Sequence, residues 1–272
     1  MADGEFVSPV TRLLELGEPR CSCVLEWLDY RQFNLVPGHI PALIQLATDL
    51  SLLTNTDEDD ARGWGPVHAW RALGQMRAVE AIEPLLNLFH ALPDNEWIIE
   101  EMPDVFALIG PRAFAMLSAY LANASRPTYA RLVAAASLTQ MALRSPEVRD
   151  ICITVLAEQL LNYKANTPGV NGVLIANLVE LHATEYVELI HRVFAESKVD
   201  RFIVGDWRDV RLLLAGNSRS AIRGDASALT ANIKKVPPDP GELNAPRSAT
   251  AEPRTQPRAS AEPRTRPRPN SA

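Results

Sequence analysis

Cysteine is scarce in this chain of 272 residues: Cys21, Cys23 and Cys152 are the only three. So low and odd a count excludes a disulfide framework and fits a reducing compartment. Cys21 and Cys23 can offer two thiolates, but a zinc site asks for four ligands and no second pair stands at comparable spacing. No metal and no cofactor are expected. Long apolar runs are missing as well, since Arg112 and Asn177 interrupt the two richest stretches before either reaches the about 18–20 residues that span a bilayer. The segment Met1 to Val10 carries Asp3 and Glu5 in place of a basic start and an apolar centre, so no secretory signal is read there and a cytoplasmic location is expected. No Ser–His–Asp, Cys–His or phosphate-binding glycine motif stands in a suitable context, and Gly169 to Gly172 reads as a turn and helix cap. The acidic stretch Asn55 to Asp60 lacks the ligand spacing and closing glutamate of a calcium loop and reads as a solvated connector.

Charge is uneven. The formal net charge is -6, yet the stretch from Pro246 to Ala272 holds six arginines against two glutamates, which is +4 and leaves -10 for the rest. An acidic body repels a phosphate backbone. Nucleic-acid binding is therefore expected, if anywhere, as weak contacts of the basic tail, where Pro, Ala, Arg, Ser and Thr dominate and AEPRTQPR is echoed by AEPRTRPR. Such a composition cannot bury enough apolar surface to fold.

Against these absences stands a repeat. Ile82, Leu85, Leu86 and Phe89 share one helix face, and the same spacing returns at Val187, Ile190, His191 and Phe194. Four helix–turn–helix units of about 35 residues fit between Trp64 and Ser197, the signature of an all-α stacked array. Residues 1–63 read as an N-terminal helical cap, with helices over Ser8 to Leu16 and from Pro37 to about Leu50; Trp27, Leu28, Tyr30 and Phe33 are expected to seal the open end. Residues 64–214 form the array, closed by a helix over Asp206 to Leu214. Residues 215–235 read as a weakly structured linker with one short helix near Ala226 to Ile233, and 236–272 as a disordered basic tail. In the second unit Pro103 should kink or restart the helix, detaching a turn over Glu96 to Glu101. Cys152 lies on the stripe Val148, Ile151, Cys152, Val155, Leu156 and should be buried as a small hydrophobe.

The strings His68-Ala-Trp-Arg-Ala-Leu-Gly74, Ala81-Ile-Glu-Pro-Leu-Leu86 and Ala107-Leu-Ile-Gly-Pro111 resemble HEAT-like repeats of the PBS-lyase type, over about Trp64 to Ser197. Within that class the chain is similar to uncharacterised bacterial HEAT-repeat proteins. The resemblance implies an armadillo-like α-solenoid. It also brings a lyase-like activity on a bilin or other prosthetic group as an alternative, because the class is named after such enzymes. Some members carry a cysteine-rich zinc motif at the C-terminus, where this chain has arginine and proline.

Three clusters stand out from the repeat. Trp64, His68 and Arg71 follow one another along one helix face, a combination able to grip a carboxylate or a peptide; the same face can instead pack on the cap, with a ring nitrogen of His68 satisfied there. Trp97, Glu100, Glu101 and Asp104 form the second. Adjacent Glu100 and Glu101 diverge by about 100° around a helix, which suits a binding ridge better than a catalytic carboxylate pair. Asn177 breaks an apolar stripe and must find a polar partner, while Asp206 and Trp207 close the far end or bind there. The expected function is a non-enzymatic scaffold that binds a protein partner through the array surface.

Overall fold

The computed structural model describes residues 6–19, 24–54, 60–92, 95–216 and 227–237. The tail from residue 238 on, the pair Cys21 and Cys23, and Asn55 to Asp59 of the acidic connector lie outside them. Every regular element among the described residues is helical.

The cap is built of shorter pieces than the apolar spacing suggests. Tight 3-10 turns cover Val10–Glu15, Val24–Glu26, Tyr30–Phe33 and Pro37–His39, ahead of α1 (Ile40–Ala47) and α2 (Leu50–Thr54). Two prolines set the start of α1: Pro37 opens a separate 3-10 turn, and Pro41 falls in the first helical turn, where its missing N–H breaks no bond.

Four successive helix pairs follow. They are α3 (Gly65–Gln75) with α4 (Ile82–Ala91), α5 (Glu96–Ile109) with α6 (Phe114–Ala122), α7 (Thr128–Arg144) with α8 (Arg149–Leu161), and α9 (Pro168–Glu180) with α10 (Val187–Ala195). All four use one turn: an i→i−3 bond runs from Ala81 to Ala78, Ala113 to Gly110, Val148 to Ser145 and Tyr186 to Ala183. Arg77, His182 and Ser197 adopt positive φ just past the ends of α3, α9 and α10. Around each, two N–H groups reach back to orphan carbonyls of the helix (Arg77 to Gly74 and Ala78 to Leu73 in α3), which is the Schellman closure.

The first helices of the pairs pack in file, α1 on α3, α3 on α5, α5 on α7 and α7 on α9, while α4 contacts α6 and α6 contacts α8. Short helices α11 (Arg201–Val204) and α12 (Trp207–Leu214) cover α9, with α12 also on α10. Position in the file dictates burial: α3 is enclosed from Gly65 to Gly74, and α7, in contact with α5, α6, α8 and α9, is enclosed from Leu132 to Ala142. Cys152 is fully buried, which pushes its thiol up to about 12.

Three expectations need correction. Helix α5 runs unbroken through Pro103; buried Ile98, Ile99, Met102, Val105 and Phe106 on both sides of the proline hold the two halves in one helix despite the lost bond. Of the cluster expected to seal the open end, Trp27, Tyr30 and Phe33 are buried, with Trp27 and Tyr30 over the His68–Arg71 face of α3, whereas Leu28 is 43% exposed and stands apart from them. Finally, the short helix expected in the linker is α13 (Ser227–Ile233), and it rests across α5, α7 and α9 with Leu229, Ile233 and Val236 buried. One contiguous apolar core thus extends from Phe6 to Val236. No single helix among the described residues is long and apolar enough to cross a membrane.

Candidate functional site

Polar side chains on α3, α5, α7 and α9 form a seam along the file. At its head, His68 Nε2 lies 2.8 Å from the Gly17 carbonyl, which can only accept; that nitrogen must carry the proton. Nδ1 is then the acceptor for the Tyr30 hydroxyl at 2.6 Å. Burial holds the His68 ring down to about 4, aided by the nearby Arg71 charge and opposed by the bond to Gly17. Burial likewise raises the Tyr30 phenol above its usual range, although the Arg71 guanidinium, hydrogen-bonded to it, pulls the other way.

Arg71 carries the seam from α3 to α5. Its Nε donates to Glu101 Oε2 at 2.8 Å and its Nη2 to Oε1 at 2.6 Å, a bidentate pair with side chains 2% and 0% exposed. The Trp27 ring covers the guanidinium at 4.6 Å. Enclosure pushes the Glu101 carboxyl up to about 7, with Asp104 and Glu100 adding to the rise and Arg71 opposing it. One turn on, buried Asp104 accepts from Arg144 Nη2 of α7 at 2.8 Å. Thr139 of α7 donates to Asn177 Oδ1 of α9 at 2.7 Å, and Asn177 Nδ2 returns to Val173 O. The partner that Asn177 needs is therefore a side chain in the middle of a neighbouring helix. Gln140, also fully buried, has neither amide atom bonded to a described residue.

The adjacent glutamates separate as their angular offset requires. Glu101 turns inward to Arg71, whereas Glu100 turns outward and accepts from Lys234 Nζ at 2.6 Å; Glu96 lies 3.4 Å from the same ammonium. Beside them Trp97 meets Trp64 edge to face, centroids 4.9 Å apart, both indoles half-buried. At the far end Trp207 packs on His191 at 4.8 Å and on Phe194, and Asp206 caps α12 by accepting from the N–H groups of Arg208 and Asp209.

The nine residues singled out by sequence thus fall into three groups. His68, Arg71, Glu101 and Asn177 are interior, His68 bonded to the cap, Arg71 to Glu101 and Asn177 to Thr139 of α7; Trp64, Trp97 and Glu100 form a border at the start of α3 and α5; Asp206 and Trp207 stand at the end. Sequence reading missed Arg144, Gln140 and above all Lys234. The only signal for the last was the helical spacing of Leu229 and Ile233 in a segment of otherwise polar character. Among the described residues no group of three or more His, Cys, Asp or Glu is placed to hold a metal ion. Comparisons with protein-family models, with curated proteins and with solved structures find no match.

Proposed function

We propose that the chain is an α-solenoid of HEAT-like hairpins that serves as a protein-binding scaffold, and that Trp64, Trp97, Glu96 and Glu100 form its recognition border. One observation carries this reading: two half-buried indoles in mutual contact stand beside two solvent-reachable carboxylates at the border of the file. Indoles supply large apolar contact area with few rotors, the residue type on which binding energy concentrates. Carboxylates beside them select a partner with lysine or arginine at the contact, in keeping with the acidic body.

The test is capture of partners by the full-length protein after crosslinking in cells that express it, comparing the natural sequence with Trp97→Ala. Retention of a defined protein, reduced at least tenfold in the variant while its circular dichroism and melting are unchanged, supports the border. Equal retention by Trp97→Ala, or no specific retention at all, contradicts it.

A further inference from the structure

The recognition border is already in use by the chain itself. Leu229, Ile233 and Val236 are 3%, 0% and 1% exposed, sunk between the first turns of α5, α7 and α9. Val236 packs on Gly169 so closely that a Cβ there would stand 3.2 Å from its Cγ1; the missing side chain forms a notch that receives a branched aliphatic group. Its carbonyl accepts from the Tyr129 hydroxyl, and Lys234 places its ammonium between Glu96 and Glu100. The seat combines a shape-specific notch, an apolar floor and an acidic wall. Its occupant has the chemistry of a helical recognition peptide, with two aliphatic residues four apart, a lysine next, and a branched aliphatic residue two further on.

Two features bear on how this occupant is held. Helix α13 has seven residues, too few to persist alone in water, so it is ordered by the seat, as a bound peptide would be. Its ion pairs are partly open to water, Lys234 being 32% exposed, Glu96 44% and Glu100 20%, and pairs of this kind contribute modestly. From this geometry we infer that the groove across the first turns of α5, α7 and α9 is a binding site for a short amphipathic helix with a lysine at its border. The segment Ser227–Val236 is its intramolecular occupant, in competition with a partner helix of the same pattern. This rests on the scaffold reading and names the chemistry of the partner.

The experiment uses the full-length chain and a fluorescent synthetic peptide of its own residues 225–239. Lys234→Glu sets like charges against Glu96 and Glu100 and weakens the resident segment, while the peptide keeps its lysine. Peptide affinity by fluorescence anisotropy is expected to rise at least tenfold over the natural protein. A second change, Glu100→Lys, restores the charge pairing and should return it to the original value. Ile233→Glu should open the groove further. The inference is overturned if the peptide binds neither variant while both remain folded. It is overturned equally if Ile233→Glu fails to fold and Lys234→Glu binds no better than the natural protein, since the segment is then core. A concentration-dependent dimer of Lys234→Glu in sedimentation, without peptide binding, would assign the groove to a second copy instead. None of these readouts depends on a captured cellular partner, so failure here leaves the Trp97 comparison standing, and failure there leaves this one interpretable.

Discussion

Arg71 is the residue on which most of the interior polar chemistry converges. It is fully enclosed between Trp27 and Glu101, so removing its counter-charge leaves a buried cation without its partner. Arg71→Met or Glu101→Gln is expected to cost about 3–5 kcal/mol in urea unfolding, while Arg71→Met combined with Glu101→Leu should recover most of that loss. Additive losses in the double variant would show that the pair is not coupled. The titration of the same network has a sign that can be worked out. His68 is held at about 4 against an ordinary 6.5, so its contribution is fully present above 6.5 and is lost as pH falls toward 4. Glu101, raised to about 7 from 4.5, behaves oppositely: its contribution is present below 4.5 and lost as pH rises through 7. Between 4.5 and 6.5 the two slopes oppose each other, leaving the natural protein nearly level through this network. His68→Asn should expose a stability that falls with rising pH in that window, and Glu101→Gln one that rises. Identical pH profiles of unfolding free energy for both variants would refute the assignment.

At the scale of the helix, the polar groups that matter join one unit to the next. Asn171 of α9 donates from Nδ2 to the carbonyls of Tyr163, beyond α8, and Lys198, beyond α10, and accepts from Asn166. Asn171→Ala strands two carbonyls and is expected to lower stability by about 2–4 kcal/mol, with hydrogen exchange accelerating first in α8 to α10; an unchanged α1 to α5 would mark the effect as local. Elements of this kind were legible in the sequence to different degrees. The helices α3, α4 and α7 to α10 were, because their apolar stripes recur with one period. The 3-10 turns ahead of them were not, since a single tight turn carries no period. Continuity through Pro103 was hidden because it depends on the burial of α5 residues on both sides of the proline against neighbouring helices, which spacing alone does not show. Likewise His68 and Arg71 could be placed on one face from their spacing, but which face Trp27 and Tyr30 would cover depends on contacts between distant segments. Lys234 was the least visible of all, its carboxylate partners lying in another part of the chain.

As a whole, the molecule passes contacts from neighbour to neighbour along α1, α3, α5, α7 and α9, while α13 lies across the last three of these. Where packing passes mainly from neighbour to neighbour, small local gains should add when their sites are apart. The turns at Arg77, His182 and Ser197 offer such gains. Each holds a side-chain-bearing residue at φ 48 to 54, a conformation that costs about 1–2 kcal/mol for an L-residue. Glycine there relieves it against an unfolded-state penalty of about 0.5–1 kcal/mol. The combined variant Arg77→Gly, His182→Gly and Ser197→Gly is expected to melt about 5 °C higher, and a lower melting point would show that these side chains have stabilising roles of their own. In adaptive language, the same three turns are reserve capacity: a lineage entering a hotter habitat could harden this protein at its corners while leaving the Trp64–Trp97 contact and the seat of α13 as they are.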